Sequence, residues 1–207
     1  MQILKIYSKY KTLPNLQLHM LRVGALAQII TNNWVGEIID KESIIKTCLL
    51  HDIAKPINFD MTNQKQYIKD DNELIEIEEC NNFLISNYGV EEHPALEMIG
   101  KEIGVSEKSL ELLKNLEWHY IKKLLANNDI ESLIPIYADM RISPNGIVSI
   151  IDRVEDLKKR TGKENNQQFE YIQKLESLIN ENTKANLYQI TNQEINIMIK
   201  NFKNYNI

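Results

Sequence analysis

The sequence predicts an all-α fold. Apolar residues recur at three- and four-residue spacing almost throughout, and no stretch shows the sustained apolar–polar alternation of a half-buried strand. With 43% hydrophobic and 26% charged residues and no low-complexity tract, the composition is that of a globular chain, not a disordered one. Its 207 residues suit one domain with a sizeable core, or one domain plus an accessory helical segment.

The elements follow in order. After Pro14-Asn15, a start signal, the first strong helix spans about 16–34, and a second spans about 41–55, stopping before Pro56. Residues 56–71 read as a loop, a candidate mobile cover for a site. Further helices are expected near 72–88, 94–103, 107–127, 130–142 and 147–161. Gly89, Gly104, Asn127-Asn128 and Pro144-Asn145-Gly146 mark the breaks between them. Past Thr161-Gly162-Lys163 the chain turns more polar, and helices near 167–181 and 185–203 finish it. The expected organisation is a main domain over 1–163 and an accessory helical segment over 164–207, packed on the same domain. No internal repeat is visible.

Charge and residue usage exclude several functions. A net charge of −5 leaves no extended basic surface for sequence-independent nucleic-acid binding. The short cluster Lys158, Lys159, Arg160 and Lys163 reads as a solvated helix end. The first residues lack the apolar run of a signal peptide, and the longest uncharged stretch, Val23–Gly36, falls short of a membrane span. A cytoplasmic protein without membrane partners is expected. Cys48 and Cys80 lack CxxC spacing, so they read as plain thiols, Cys48 in the core. Neither a Walker-type phosphate loop nor a GxGxxG string is present.

The chemistry-bearing residues are His19, His51, Asp52, His93, His119 and Asp139, which include every histidine in the chain. Such nitrogen and oxygen ligands suit Mn, Fe, Co, Ni or Zn, and a metal site in a helical bundle draws them from several helices. His19 shares a stripe with Val23, Leu26 and Ile30, and Asp52 shares one with Ile45, Cys48 and Leu49. A carboxylate at the buried end of a stripe needs a cation or a set of donors. His51 and Asp52, about 100° apart on a helix, can serve one metal and bridge to a second. His93 precedes Pro94 at a helix entrance, His119 follows Leu112 and Leu116 on an inward face, and Asp139 edges the stripe Leu133, Ile136, Tyr137 and Met140. Each residue alone is as readily a core or surface group. Together, spread over successive helices, they point to metal binding.

The order His19, then Leu49-Leu50-His51-Asp52-Ile53-Ala54-Lys55, then His93, His119 and Asp139 resembles the HD superfamily of metal-dependent phosphohydrolases, over about residues 15–160. The resemblance implies an HD-domain helical bundle with two extra C-terminal helices. It also implies one metal on His19, His51, Asp52 and Asp139 and a second on Asp52, His93 and His119, with Asp52 bridging. Ala54 replaces the glycine of many members, a change that a helix tolerates. No Gly-Tyr-Pro signature follows His93, which disfavours cyclic dinucleotides.

Arg22, three residues after His19, and Lys55, four after His51, fall on the same faces as those ligands and can reach a phosphate oxygen. The expected enzyme cleaves a phosphate ester or phosphoanhydride through a metal-activated water, with Asp52, Lys55 and Arg22 at the reacting centre. Its expected partner is a small phosphorylated substrate, with nucleotides ahead of dinucleoside polyphosphates and phosphomonoesters; a homo-oligomer is compatible with this. The alternatives are a mixed-valence di-iron oxygenase on the same ligands, a one-metal enzyme in which His93 and His119 contact substrate, and a non-catalytic metal-containing binding module.

Overall fold

The computed structural model describes residues 1–59, 70–161 and 166–207, and these form eleven α-helices with one two-residue β-ladder. The helices are α1 (Ile3–Lys9), α2 (Pro14–Asn32), α3 (Lys41–Leu50), α4 (Asp71–Tyr88), α5 (Glu92–Ile103), α6 (Glu107–Asn115), α7 (Ile121–Ala126), α8 (Ile130–Met140), α9 (Ile150–Thr161), α10 (Asn166–Glu181) and α11 (Asn192–Phe202). Short 3-10 turns occupy Lys55–Asn58 and Trp118–Tyr120. The ladder pairs β1 (Ile142–Ser143) with β2 (Gly146–Ile147) in antiparallel register, Ile142 opposite Ile147. The all-α expectation holds. Most of the expected loop, and the expected boundary at 163–164, fall outside the described residues.

Side-chain caps set many of the helix starts. Asp40, Asp70, Ser106 and Asp129 each accept from backbone N–H groups in the first turn of α3, α4, α6 and α8, satisfying donors that have no partner within the helix. Thr191 and Glu194 form a reciprocal capping box at α11, so this helix begins at Asn192 and not near 185 as expected.

Two further expectations are corrected. The stretch 107–127 is not one helix: α6 ends at Asn115, and a 3-10 turn separates it from α7. The second strong helix stops at Leu50, because its last carbonyls are taken by side chains. The buried Tyr7 hydroxyl donates to Leu49 O at 2.8 Å, and His51 Nδ1 lies 2.8 Å from Cys48 O. Helix α1, which supplies Tyr7, was not expected. Its buried stripe of Ile3, Ile6 and Tyr7, continued by Tyr10, seats it on the core.

Helices α2 and α3 form the most extensive pair, and each also packs on α8. Gly24 lets α2 and α3 approach closely, since a Cβ there would lie 2.8 Å from Leu49 Cδ2. Around this trio stand α6 against α3, α11 against α2 and α10 against α8. The C-terminal helices feed Ile172, Leu175, Ile179, Ile195 and Phe202 into the same buried cluster as the rest of the chain. Val35 N donates to Asn182 O and Lys184 N to Asn33 O, both at 2.9 Å, which ties the end of α2 to the end of α10. The hairpin turn needs Gly146: its φ is +123°, and an added Cβ would collide with the Asn192 side chain.

Tyr7→Phe tests the α1 contact. It leaves Leu49 O buried without its donor, so equilibrium denaturation should show a loss of about 1–3 kcal/mol. Unchanged stability would mean that this hydroxyl does not secure the end of α3.

Candidate metal centre

Three mutually packed helices bring four of the expected ligands together. His19 projects from α2, His51 caps the C-terminus of α3 with Asp52 following it, and Asp139 sits in the last turn of α8. His19 Nε2 lies 2.9 Å from Asp139 Oδ1 and 3.6 Å from Asp52 Oδ2. His51 Nε2 lies 3.5 Å from the same Asp139 oxygen and 3.7 Å from the same Asp52 oxygen. Two imidazole nitrogens thus face two carboxylates across a small gap. Among the described residues, His19, His51 and Asp139 are the group whose ligand atoms all lie within 4.8 Å of one another. His19, His51 and Asp52 are largely buried, whereas Asp139 keeps an open side.

The protonation pattern shows that this donor set fits a divalent cation. Cys48 O can only accept, so His51 Nδ1 carries the proton and Nε2 is turned toward the carboxylates. That Nε2 is buried with no hydrogen-bond partner among the described residues. In the neutral imidazole its lone pair points at two anions, an arrangement that calls for a proton or a cation between them. Burial alone would lower the pKa of His51, but the charges of Asp52 and Asp139 outweigh it and raise the value to about 9. Burial alone would raise Asp139, yet the hydrogen bond with His19 and the nearby His51 imidazole hold it well below the usual carboxylate range. Two imidazoles and two carboxylates are ligands for Mn, Fe, Co, Ni or Zn.

The cation expected beside this group is present. Lys55 Nζ stands 3.5 Å from Asp52 Oδ1 and 3.8 Å from Glu92 Oε1, and Asp52 above all pushes the lysine pKa upward. Glu92, one of the few buried charged residues, also accepts from Asn58 Nδ2 at 2.6 Å. Arg22, the other expected phosphate contact, donates from NH1 to Pro144 O at 2.9 Å in the β1–β2 turn. Among the described residues it therefore has one of its five donors engaged.

His93 and His119 are placed elsewhere. His93 lies in the first turn of α5 and His119 in the 3-10 turn, and both pair with Glu117: His93 Nδ1 at 3.7 Å, His119 Nδ1 at 3.2 Å. His119 is exposed and packs against Tyr120 in a tilted arrangement, with ring centroids 3.9 Å apart, so the inward face expected for it is corrected. The cause is the break after α6, which removes it from the stripe of Leu112 and Leu116. A cavity of about 630 Å³ adjoins these residues, lined by Asn58, Glu92, His93, Leu96, Leu113 and Tyr120. Glu92 and Glu117 had no signal in a sequence holding 29 acidic residues, although both neighbour a histidine within two positions.

The HD-domain family model matches residues 17–157, a stretch that contains every one of these side chains. The chain belongs to the HD-domain family. HD domains bind divalent metals and are commonly metal-dependent phosphohydrolases. No curated protein and no solved structure matches this HD domain significantly. Both cysteines are buried, and burial pushes their thiols upward, so neither supplies a thiolate nucleophile near neutral pH. No helix among the described residues is long and apolar enough to cross a membrane.

The raised pKa of His51 gives the metal affinity a sign with pH. In the metal-free chain its proton is favoured below about 9, and a metal must displace it. Apparent affinity should therefore rise with pH up to that value, by roughly tenfold per unit where this single proton dominates. The matching stability term in metal-free protein is fully present below the ordinary histidine value of 6.5 and is lost as pH rises through about 9. Chelator-competition titrations across this interval test the point; a flat affinity would show that His51 is not the displaced proton's carrier.

Proposed function

We propose that this HD domain is a metal-dependent phosphohydrolase that cleaves a phosphomonoester with an uncharged leaving group, a nucleoside monophosphate being the favoured kind. The observation that carries the reading is the convergence of His19, His51, Asp52 and Asp139 beside the cation of Lys55. A divalent metal on the four ligands would supply an activated water near neutral pH and charge neutralisation on the phosphoryl group.

The chain's own residues account for the rest. Lys55 is held loosely between Asp52 and Glu92, at distances longer than good hydrogen bonds, so its donors can turn to a phosphate oxygen without losing a strong contact. Arg22 is steadied by Pro144 O and has donors to spare for the same anion. His51 is oriented through Nδ1 by Cys48 O, and the paired carboxylates hold the opposite edge of the site. The leaving group fits the cavity beside His93, whose volume is in the range of small-molecule sites and whose floor is apolar at Leu96 and Leu113.

Charge in that cavity supports a ranking of the candidate substrates. Glu91, Glu92, Glu97 and Glu117 line it against Lys114 alone among lysines and arginines. Further phosphates extending that way would meet carboxylates, which is the support for nucleoside monophosphates over dinucleoside polyphosphates. The one-metal alternative is supported over a binuclear centre: His93 and His119 lie beside Glu117, away from the four converging ligands, and His93 lines the cavity, where it can contact substrate. Dinuclear iron chemistry would need both of them on a second metal.

The deciding experiment is elemental analysis of protein purified without chelator, joined to a phosphate-release screen after loading with manganese, iron or cobalt. About one metal per chain and release abolished by Asp52→Ala are expected. Lys55→Met should lower kcat/KM by roughly 10- to 100-fold, the loss of a charge-assisted contact to phosphate. No metal and no Asp52-dependent release would overturn the hydrolase reading in favour of a binding module; two irons without phosphate release would favour the oxygenase.

A further inference from the structure

We infer that Arg141 is a positioning residue of the metal centre, fixing Asp139 by locking the end of α8 onto oxygens of which two come from the C-terminal segment beyond the matched residues 17–157. The inference rests on the reading of Asp139 as a metal ligand.

Arg141 is the C-cap residue of α8, two positions after Asp139, and only 4% of it is exposed. Among the described residues it is the one buried lysine or arginine. A guanidinium carries five donors and cannot shed its charge, so burial forces it to find oxygens. Three come from three different places. Nε donates to Val148 O at 2.6 Å, just past the hairpin; NH1 donates to Tyr137 OH at 2.6 Å, one turn back in α8; NH2 donates to Leu187 O at 3.0 Å, in the connection between α10 and α11. The countercharge is Glu176 of α10, 3.7 Å from NH1, which also accepts from Tyr137 OH at 3.3 Å.

This network matters for Asp139 because the aspartate has little else to steady it. Its described polar partners are His19 and His51, the groups it would share a metal with, and its side chain is 36% exposed. It sits in the last turn of a helix, where backbone carbonyls lack helical partners and fraying is the default. Arg141 removes that freedom. A buried charge with forked, directional bonds has one low-energy position, and the backbone carrying it is fixed accordingly. The adjoining hairpin is held from both sides as well, by Arg22 on Pro144 O and by Asn192 Oδ1, which accepts from Ile147 N at 2.9 Å. Two of the anchors, Leu187 and Glu176, belong to a segment that composition marks as an appendage. In this arrangement the segment completes the site.

A merely structural arginine would lower stability without touching the metal, so the test reads both. Cobalt affinity of the full chain is measured by chelator competition, with the cobalt absorption spectrum and the Tm with and without metal. Arg141→Met should weaken cobalt binding by about 10- to 100-fold, the usual consequence of losing a group that orients a ligand. It should also shrink the rise in Tm that cobalt produces and alter the spectrum, while Arg141→Lys recovers part of the affinity. Leu84→Ala, a core change on α4, provides a comparison that lowers Tm with cobalt affinity unchanged.

Should Arg141→Met fail to fold, Tyr137→Phe and Glu176→Gln carry the test, each with a smaller loss of affinity in the same direction. Cobalt binding by the foldable variants equal to that of the parent chain, at whatever Tm, would overturn the inference. A parent chain that takes up no cobalt would overturn the metal-site reading, and this inference with it.

Discussion

Two carboxylates, Asp52 and Asp139, converge on the same pair of imidazole nitrogens, and most of what surrounds them answers that concentration of negative charge. Left in a low-dielectric interior, such a pair would take up protons or separate. Here three things oppose that outcome: the raised pKa of His51, the lysine at position 55, and a donor set into which a divalent cation fits. On the metal-site reading, a bound cation would take the place of a proton on His51.

The charge arrangement runs outward from that point in an ordered way. Lys55 lies between Asp52 and Glu92, Glu92 is held by Asn58, and beyond Glu92 opens the cavity with Glu117, His93 and an apolar floor. Positive charge thus lies mainly on the rim nearest the candidate metal, with carboxylates and the single Lys114 on the far side. The proposed substrate, with its negative charge on a single phosphate and a neutral remainder, would match this polarity. One with negative charge at both ends would not.

The part of the site that the sequence made legible is the part fixed by helical periodicity and by neighbours in the chain. His19 lies on the stripe of α2 and faces inward as its spacing requires, and Asp52 follows His51 wherever that residue goes. Asp139 was readable as an acid at the edge of an otherwise apolar helix whose buried side is filled by Leu133, Ile136 and Tyr137. His119 was misread because its face was extrapolated through a helix that breaks after Asn115. Helix α1 was missed because seven residues are too few to stand as a helix without the packing that the fold supplies. Glu117, Glu92, Tyr7 and Arg141 owe their roles to distances between remote segments, for which composition and spacing carry no signal.

Those illegible residues share a location, the ends of helices, and the reason is physical. A helix interior satisfies its own backbone and holds a side chain on a fixed azimuth, but its terminal carbonyls are left open, and the chain that follows can take several directions. Of the four converging ligands, only His19 stands well inside a helix; the others sit at or just beyond the C-termini of α3 and α8. Precision there has to be imposed from outside. At α3 it comes from the Tyr7 hydroxyl on Leu49 O and from His51 itself on Cys48 O. At α8 it comes from the buried guanidinium of Arg141 and its oxygens in α10 and the connection that follows. Segments near both ends of the chain therefore secure the two helix ends that carry the ligands. A fold that places ligands at helix ends gains an open side for substrate, and the residues that cap those ends are what keep the opening from becoming disorder.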